Sequence, residues 1–120
     1  MEKLLPRHAS FATELPAPVS QAVRALKHHL EEIYGARFQS LYLFGSYARG
    51  DYREDSDVDL LIVLSGEVNP CQEIDHLSGL VADLSWRYGV FLTILPIPAD
   101  WLLNRQSPLY VRVRQEGIPL

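Results

Sequence analysis

The chain has 120 residues, 48% of them hydrophobic and 22% charged, a composition and length that suit one globular domain rather than two. Its 11 Lys and Arg against 15 Asp and Glu give a formal charge of −4, which argues against autonomous nucleic-acid binding, because that affinity rests on cations neutralising phosphates. Cys71 is the only cysteine, so an internal disulfide is excluded, and no stretch approaches the ~20 apolar residues of a membrane span.

Residues 1–17 hold Pro6 and Pro16 without a sustained period and read as an irregular N-terminal arm, leaving 18–120 as a single domain. From Pro18 to Tyr34 the apolar positions Val19, Ala22, Val23, Leu26, Leu30 and Ile33 recur at three- and four-residue steps, which predicts an amphipathic helix ended by Gly35. His28 and His29 lie on it, with no partner ligand nearby in sequence, and read as structural or solvent-facing. The runs Ser40–Phe44 and Val58–Leu64 predict buried strands, the second almost wholly apolar. Asn69-Pro70 opens a second amphipathic helix carrying Ile74, Leu77, Val81, Leu84 and Tyr88. Val90–Leu95 reads as a third strand stopped by Pro96 and Pro98, and Ser107-Pro108 starts a last helix that ends at Gly117. The connection between the first two strands is too long for a tight hairpin, so the fold class is α/β (α+β), a small mixed sheet with helices packed on it. Trp86, Trp101, Tyr88 and Tyr110 read as core or interface residues. The lone thiol, the absence of a signal-peptide pattern and the absence of a span together read as a cytoplasmic chain.

The chemistry concentrates between the first two strands. Asp57 and Asp59 stand two apart at the entry to an apolar strand, so their carboxylates share one face, roughly 6.6 Å apart along it. Magnesium takes oxygen ligands and is commonly held by one or two carboxylates plus substrate phosphates, which such a pair can offer. Gly45-Ser46, after a strand, brings backbone amides and a hydroxyl where phosphate oxygens could be bound. Arg49 and Arg53 follow on the same loop, and a guanidinium can engage two phosphate oxygens at once. Arg53 is equally suited to balancing Asp51, Glu54 and Asp55. The Gly45-x4-Gly50 spacing is no P-loop, because Asp51-Tyr52 stands where Lys and Ser or Thr are required.

The string FGSYARGDYREDSDVDLLIVL, with Gly45-Ser46-x10-Asp57-x-Asp59, closely resembles the signature of the DNA-polymerase-β-like nucleotidyltransferases, in particular their minimal nucleotidyltransferase (MNT) branch. The tail SPLYVRVRQEGIPL is more weakly similar to that branch. The resemblance implies the polymerase-β-like fold and transfer of AMP from ATP to an acceptor hydroxyl with release of pyrophosphate. It implies that Asp57 and Asp59 are catalytic and bind metal, usually two magnesium ions, and that Gly45, Ser46 and Arg49 bind the nucleotide. One departure stands out: where a later strand of active members supplies a third acid, Val90–Leu95 offers only Thr93. Asp83 and Asp100 flank that strand awkwardly, and Glu54 or Asp55 could stand in only if their loop folds back.

MNT domains of this kind often pair with a helical HEPN protein and act as antitoxins by adding AMP to a tyrosine of that partner. Two other functions compete: a nucleotide-binding pseudoenzyme that regulates a partner by binding alone, and an aminoglycoside-type small-molecule nucleotidyltransferase. Homo-oligomerisation through an open sheet edge or the last helix stays open.

Overall fold

The structure is a computed structural model and describes residues 15–120; most of the expected N-terminal arm, 1–14, lies outside the described residues. Helix α1 (Ala17–Tyr34) buries Val19, Ala22, Val23, Leu26 and Leu30, the stripe its periodicity predicts, while Ile33 at its end is exposed. A single 3-10 turn, Gly35–Arg37, leads into β1 (Phe38–Phe44). After Gly45 comes a one-turn helix, α2 (Ser46–Arg49), then a loop and β2 (Val58–Leu64). Helix α3 (Pro70–Tyr88) starts where the Asn69 side chain accepts a hydrogen bond from the Gln72 N–H at 3.2 Å. Strand β3 (Leu92–Pro98) runs directly into α4 (Ala99–Asn104), which is followed by α5 (Pro108–Glu116) and a two-residue β4 (Ile118–Pro119).

The sheet has the order β3-β2-β1-β4. β1 is antiparallel to both β2 and β4, and β2 is parallel to β3, so the sheet is mixed as expected. β2 is interior and buried on both faces, which explains its unbroken apolar run. Leu60, Ile62 and Leu64 join Leu41 and Leu43 in the core under α1 and α3. Leu61 and Val63 face the other way, against Ile97, Leu102, Tyr110 and Val113, so α4 and α5 cover the second face. Burial of each such side chain contributes roughly 1.5–3 kcal/mol, so β2, with six of its seven residues buried, is firmly held.

Two expectations are corrected. β3 does not stop at Pro96 but continues through Pro98, paired with β2 up to Leu64. It is an edge strand, and prolines two residues apart place their missing donors on the same, unpaired side, so no ladder bond is lost. Reading those prolines as a stop also hides α4, whose Trp101 lies under the Arg105 guanidinium at 3.5 Å and meets Tyr110 edge-on. The other correction is the fourth strand, which is too short to leave a sequence pattern. Tyr110 is core, whereas Trp86 is 88% exposed beside exposed Phe91. No helix of the described residues is long and apolar enough to cross a membrane.

The helices are tied to one another by polar contacts at their ends. The Tyr34 hydroxyl at the end of α1 donates to Glu73 in the first turn of α3, and burial with that carboxylate pushes the phenol far above its ordinary pKa. Arg37 donates to the carbonyl oxygens of Ser65 and Glu67, holding the β2–α3 loop against the start of β1. At the other end, α5 turns into β4 at Gly117, where a Cβ would lie 2.7 Å from the Val113 carbonyl oxygen and 3.0 Å from its Cγ1. A backbone oxygen cannot swing aside as a side chain can. Gly117→Ala therefore displaces α5 from the sheet and lowers stability by about 1–3 kcal/mol, read as a lower urea midpoint; an unchanged midpoint would show that the turn has room to spare.

Candidate active site

Strand alternation decides which side chains meet. Asp59 has the parity of Leu61 and Val63, so it belongs to the sheet face covered by α5, at the end of β2 where that helix leaves an opening. Its cross-strand partners are Phe44 on β1 and Thr93 on β3, giving a row Phe44, Asp59, Thr93 across one end of the sheet. Asp57, one residue before β2, continues the same face into solvent and is exposed, while Asp59 is half-buried.

The opening is a cavity of about 620 Å³. Gly45, Ser46, Arg49, Asp57 and Asp59 all line it, so the proposed metal-binding and nucleotide-binding residues converge on one space. Gly45 has φ 76°, and a Cβ there would run into the Asp59 carboxylate and lie 3.1 Å from its Cγ. Only glycine lets the end of β1 pass so close to Asp59. The chain then winds at once into α2, with the Ala48 and Arg49 N–H groups both donating to the Gly45 carbonyl oxygen at 3.1 Å. Gly50, left-handed at φ 86°, ends the turn.

Other candidates sit elsewhere. Arg53 does not line the cavity; its backbone N–H donates to Ser56 Oγ at 2.8 Å within the loop. Glu54 lines a separate hollow with Tyr47 and Tyr52, whose rings stack at 4.2 Å. Asp83 pairs with Arg87 on α3, and Asp100 lines a hollow beside Gly66 and Asn69, past the other end of β2. None of these acids joins Asp57 and Asp59, and no cluster of three metal-ligating side chains occurs among the described residues. Thr93, in register with Asp59, occupies the neighbouring place on the sheet.

Sequence reasoning missed the far wall of the cavity, which α5 builds from Pro108, Arg112 and Glu116. Their four-residue spacing was the available signal, because it puts all three on one helix face. Glu116 lies 3.9 Å from Arg49 Nη1, and Arg49 Nε lies 3.4 Å from Asp51, so Arg49 is held between two carboxylates.

Burial pushes the Asp59 carboxyl above its ordinary pKa, the Asp57 charge pushes it further, and Arg49 partly offsets both. Two carboxylates on one cavity wall, one of them desolvated, form a donor set that a hard cation would relieve. The residues present therefore fit magnesium held by Asp57 and Asp59, with the Gly45-Ser46 turn beside it for phosphate oxygens.

Comparison with known proteins identifies the family. The chain matches the nucleotidyltransferase domain family over residues 19–107 and belongs to that family. It is 36% identical over 86 residues to a "Putative protein adenylyltransferase" of Methanocaldococcus jannaschii, covering 72% of this chain and 79% of that protein. It is 43% identical over 87 residues to "Protein adenylyltransferase MntA" of Thermococcus cleftensis, covering 64% of this chain and 86% of the relative. A solved "toxin-antitoxin with AMP-PNP" shares the fold with a TM-score of 0.57 at 19% identity, over 82% of this chain and 70% of that one. The chain is thus a nucleotidyltransferase with a mixed-sheet α+β fold.

A carboxyl whose pKa is raised on folding binds its proton more tightly in the folded state, so its contribution to stability declines as pH rises through the carboxylate range and stays lower at neutral pH. Without divalent cations, Asp59→Asn is expected to melt above the wild type at pH 7, with the gain shrinking as pH falls through that range. Melting curves across pH check this, and a gain independent of pH would contradict it.

Proposed function

We propose that the chain transfers AMP from ATP to a hydroxyl of a partner protein, a tyrosine, and serves as the antitoxin of a pair whose toxin is a helical HEPN-type protein. The observation that carries the reading is the convergence of Asp57 and Asp59 with Gly45, Ser46 and Arg49 on one cavity at the end of β2. Two relatives named for protein adenylyl transfer support the protein acceptor, and a toxin–antitoxin that shares the fold supports the pairing.

In this reading Asp57 and Asp59 would hold the magnesium, two ions by the family resemblance, and the metal would supply Lewis-acid stabilisation of developing charge. The Gly45 backbone and the Ser46 hydroxyl bind the β- and γ-phosphates, and Arg49 assists from the end of α2. The acceptor oxygen bonds to the α-phosphorus, the bond to the β-phosphate breaks, and pyrophosphate departs. The proton of the acceptor hydroxyl leaves to water. Asp59 is a rigid participant because β2 is buried on both faces, so little reorganisation of that carboxylate accompanies the step.

A second reading has its own observation. Thr93 stands beside Asp59 where a third acid would complete the site, and a hydroxyl is neither a base nor a strong magnesium ligand. That favours a binding-only regulator that keeps nucleotide affinity.

Incubation with the partner protein, magnesium and ATP labelled at the α-phosphate separates the two. The transferase reading expects label on the partner from α-labelled and not γ-labelled ATP, with a loss of about 100-fold or more in Asp57→Asn/Asp59→Asn. No label from the wild type, together with label from Thr93→Asp, would establish the binding-only reading.

A further inference from the structure

We propose that Arg112 is a second cationic contact for the polyphosphate of the bound nucleoside triphosphate, reaching it from α5 across the cavity from Gly45 and Ser46. The inference rests on the nucleotidyltransferase reading of the site and extends it to a helix beyond the residues, 19–107, that the family match covers.

Helix α5 has two faces with different work. Tyr110 and Val113 are buried against Leu61, Val63 and Ile97. Pro108, Arg112 and Glu116, four residues apart, turn toward the cavity that Ser46, Asp57 and Asp59 also line. Both arginines of this helix were free to be solvated surface, yet they differ. Arg114 is structural: its Nη1 donates to the Leu102 and Arg105 carbonyl oxygens at 2.6 and 2.9 Å, and its Nη2 donates to Gln106 at 3.2 Å, fastening α5 to the end of α4. Among the described residues Arg112 makes no side-chain hydrogen bond and no ion pair, although acidic side chains share its cavity.

The charge balance of the cavity points the same way. Its walls carry three carboxylates, Asp57, Asp59 and Glu116, and two guanidinium groups, Arg49 and Arg112. Arg49 shares its charge with Asp51 and Glu116, at 3.4 and 3.9 Å. Among the described residues Arg112 is thus the cation of the space without a carboxylate partner, and a guanidinium fork engages two phosphate oxygens at once where an ammonium would supply a point charge. The backbone from which it projects is fixed: the Arg114 contacts hold one side of α5, and the close passage of Gly117 past Val113 holds its end. The Arg112 side chain itself is exposed and free to turn into the cavity.

Calorimetric titration of the full chain with ATP and with AMP, each with magnesium, tests the assignment on wild type, Arg112→Ala and Arg112→Lys. A charge-assisted hydrogen bond corresponds to about 10-fold or more in affinity, so Arg112→Ala is expected to weaken ATP by that factor while leaving AMP, which lacks the β- and γ-phosphates, unchanged. Arg112→Lys recovers part of the loss. Arg112→Gln, which retains more of the side-chain stem, replaces the alanine variant if the latter melts early. Equal ATP affinity in wild type and variant overturns the inference and leaves the nucleotidyltransferase reading intact, as does an equal loss of AMP and ATP. A wild type that binds no ATP overturns both.

Discussion

The close approach of Asp59 to Gly45 is the constraint on which the rest of the site depends. One carboxylate is wedged against the end of a neighbouring strand and a second, Asp57, stands on the same face, so desolvation and like charge act on Asp59 together. Neither term favours folding. The arrangement persists because β2, which carries Asp59, is the strand with both faces buried, and its Leu60, Leu61, Ile62 and Leu64 are fully enclosed. The apolar strand holds in place a pair of charges that would otherwise separate.

The outer parts of the site follow from that position. The parity of Asp59 selects the sheet face, the face selects α5 as the opposite wall, and α5 delivers Arg112 and Glu116. The same row places Thr93 next to Asp59. An acid there would add a third negative charge to a pair already in tension, and the threonine spares the fold that cost. Opposite this pair, Arg49 is bracketed by Asp51 and Glu116, which leaves its charge in the cavity but restricts where it can point.

Much of this was legible in the chain because it is local. Asp57 and Asp59 share a face through the two-residue period of a strand, and Gly45-Ser46 follows a strand directly, so sixteen consecutive positions or fewer carry that inference. The helices α1 and α3 were legible for the same reason, through a period of 3.6 residues. What was hidden depends on where elements dock. Proline stops an interior strand and not an edge strand, and only the sheet order shows that β3 is an edge. The two-residue β4 has no period to read. Arg112 and Glu116 are more than fifty residues from Asp57 and Asp59, and only the packing of α5 over the sheet brings them to the same cavity. Trp86 reads as core or interface, and its exposure leaves only the second of these.

The central claim is that Asp57 and Asp59 form an anionic pair, offset only in part by Arg49, that magnesium and a nucleoside triphosphate complete together. Melting temperatures of wild type and Asp57→Asn/Asp59→Asn at neutral pH, with a non-hydrolysable ATP analogue and increasing magnesium, test it most directly. The account predicts that the variant melts higher when magnesium is absent, and that magnesium with the analogue raises the wild type past it. A rise in the variant as large as in the wild type would contradict the account, because the carboxylates would then have no part in holding the metal and nucleotide.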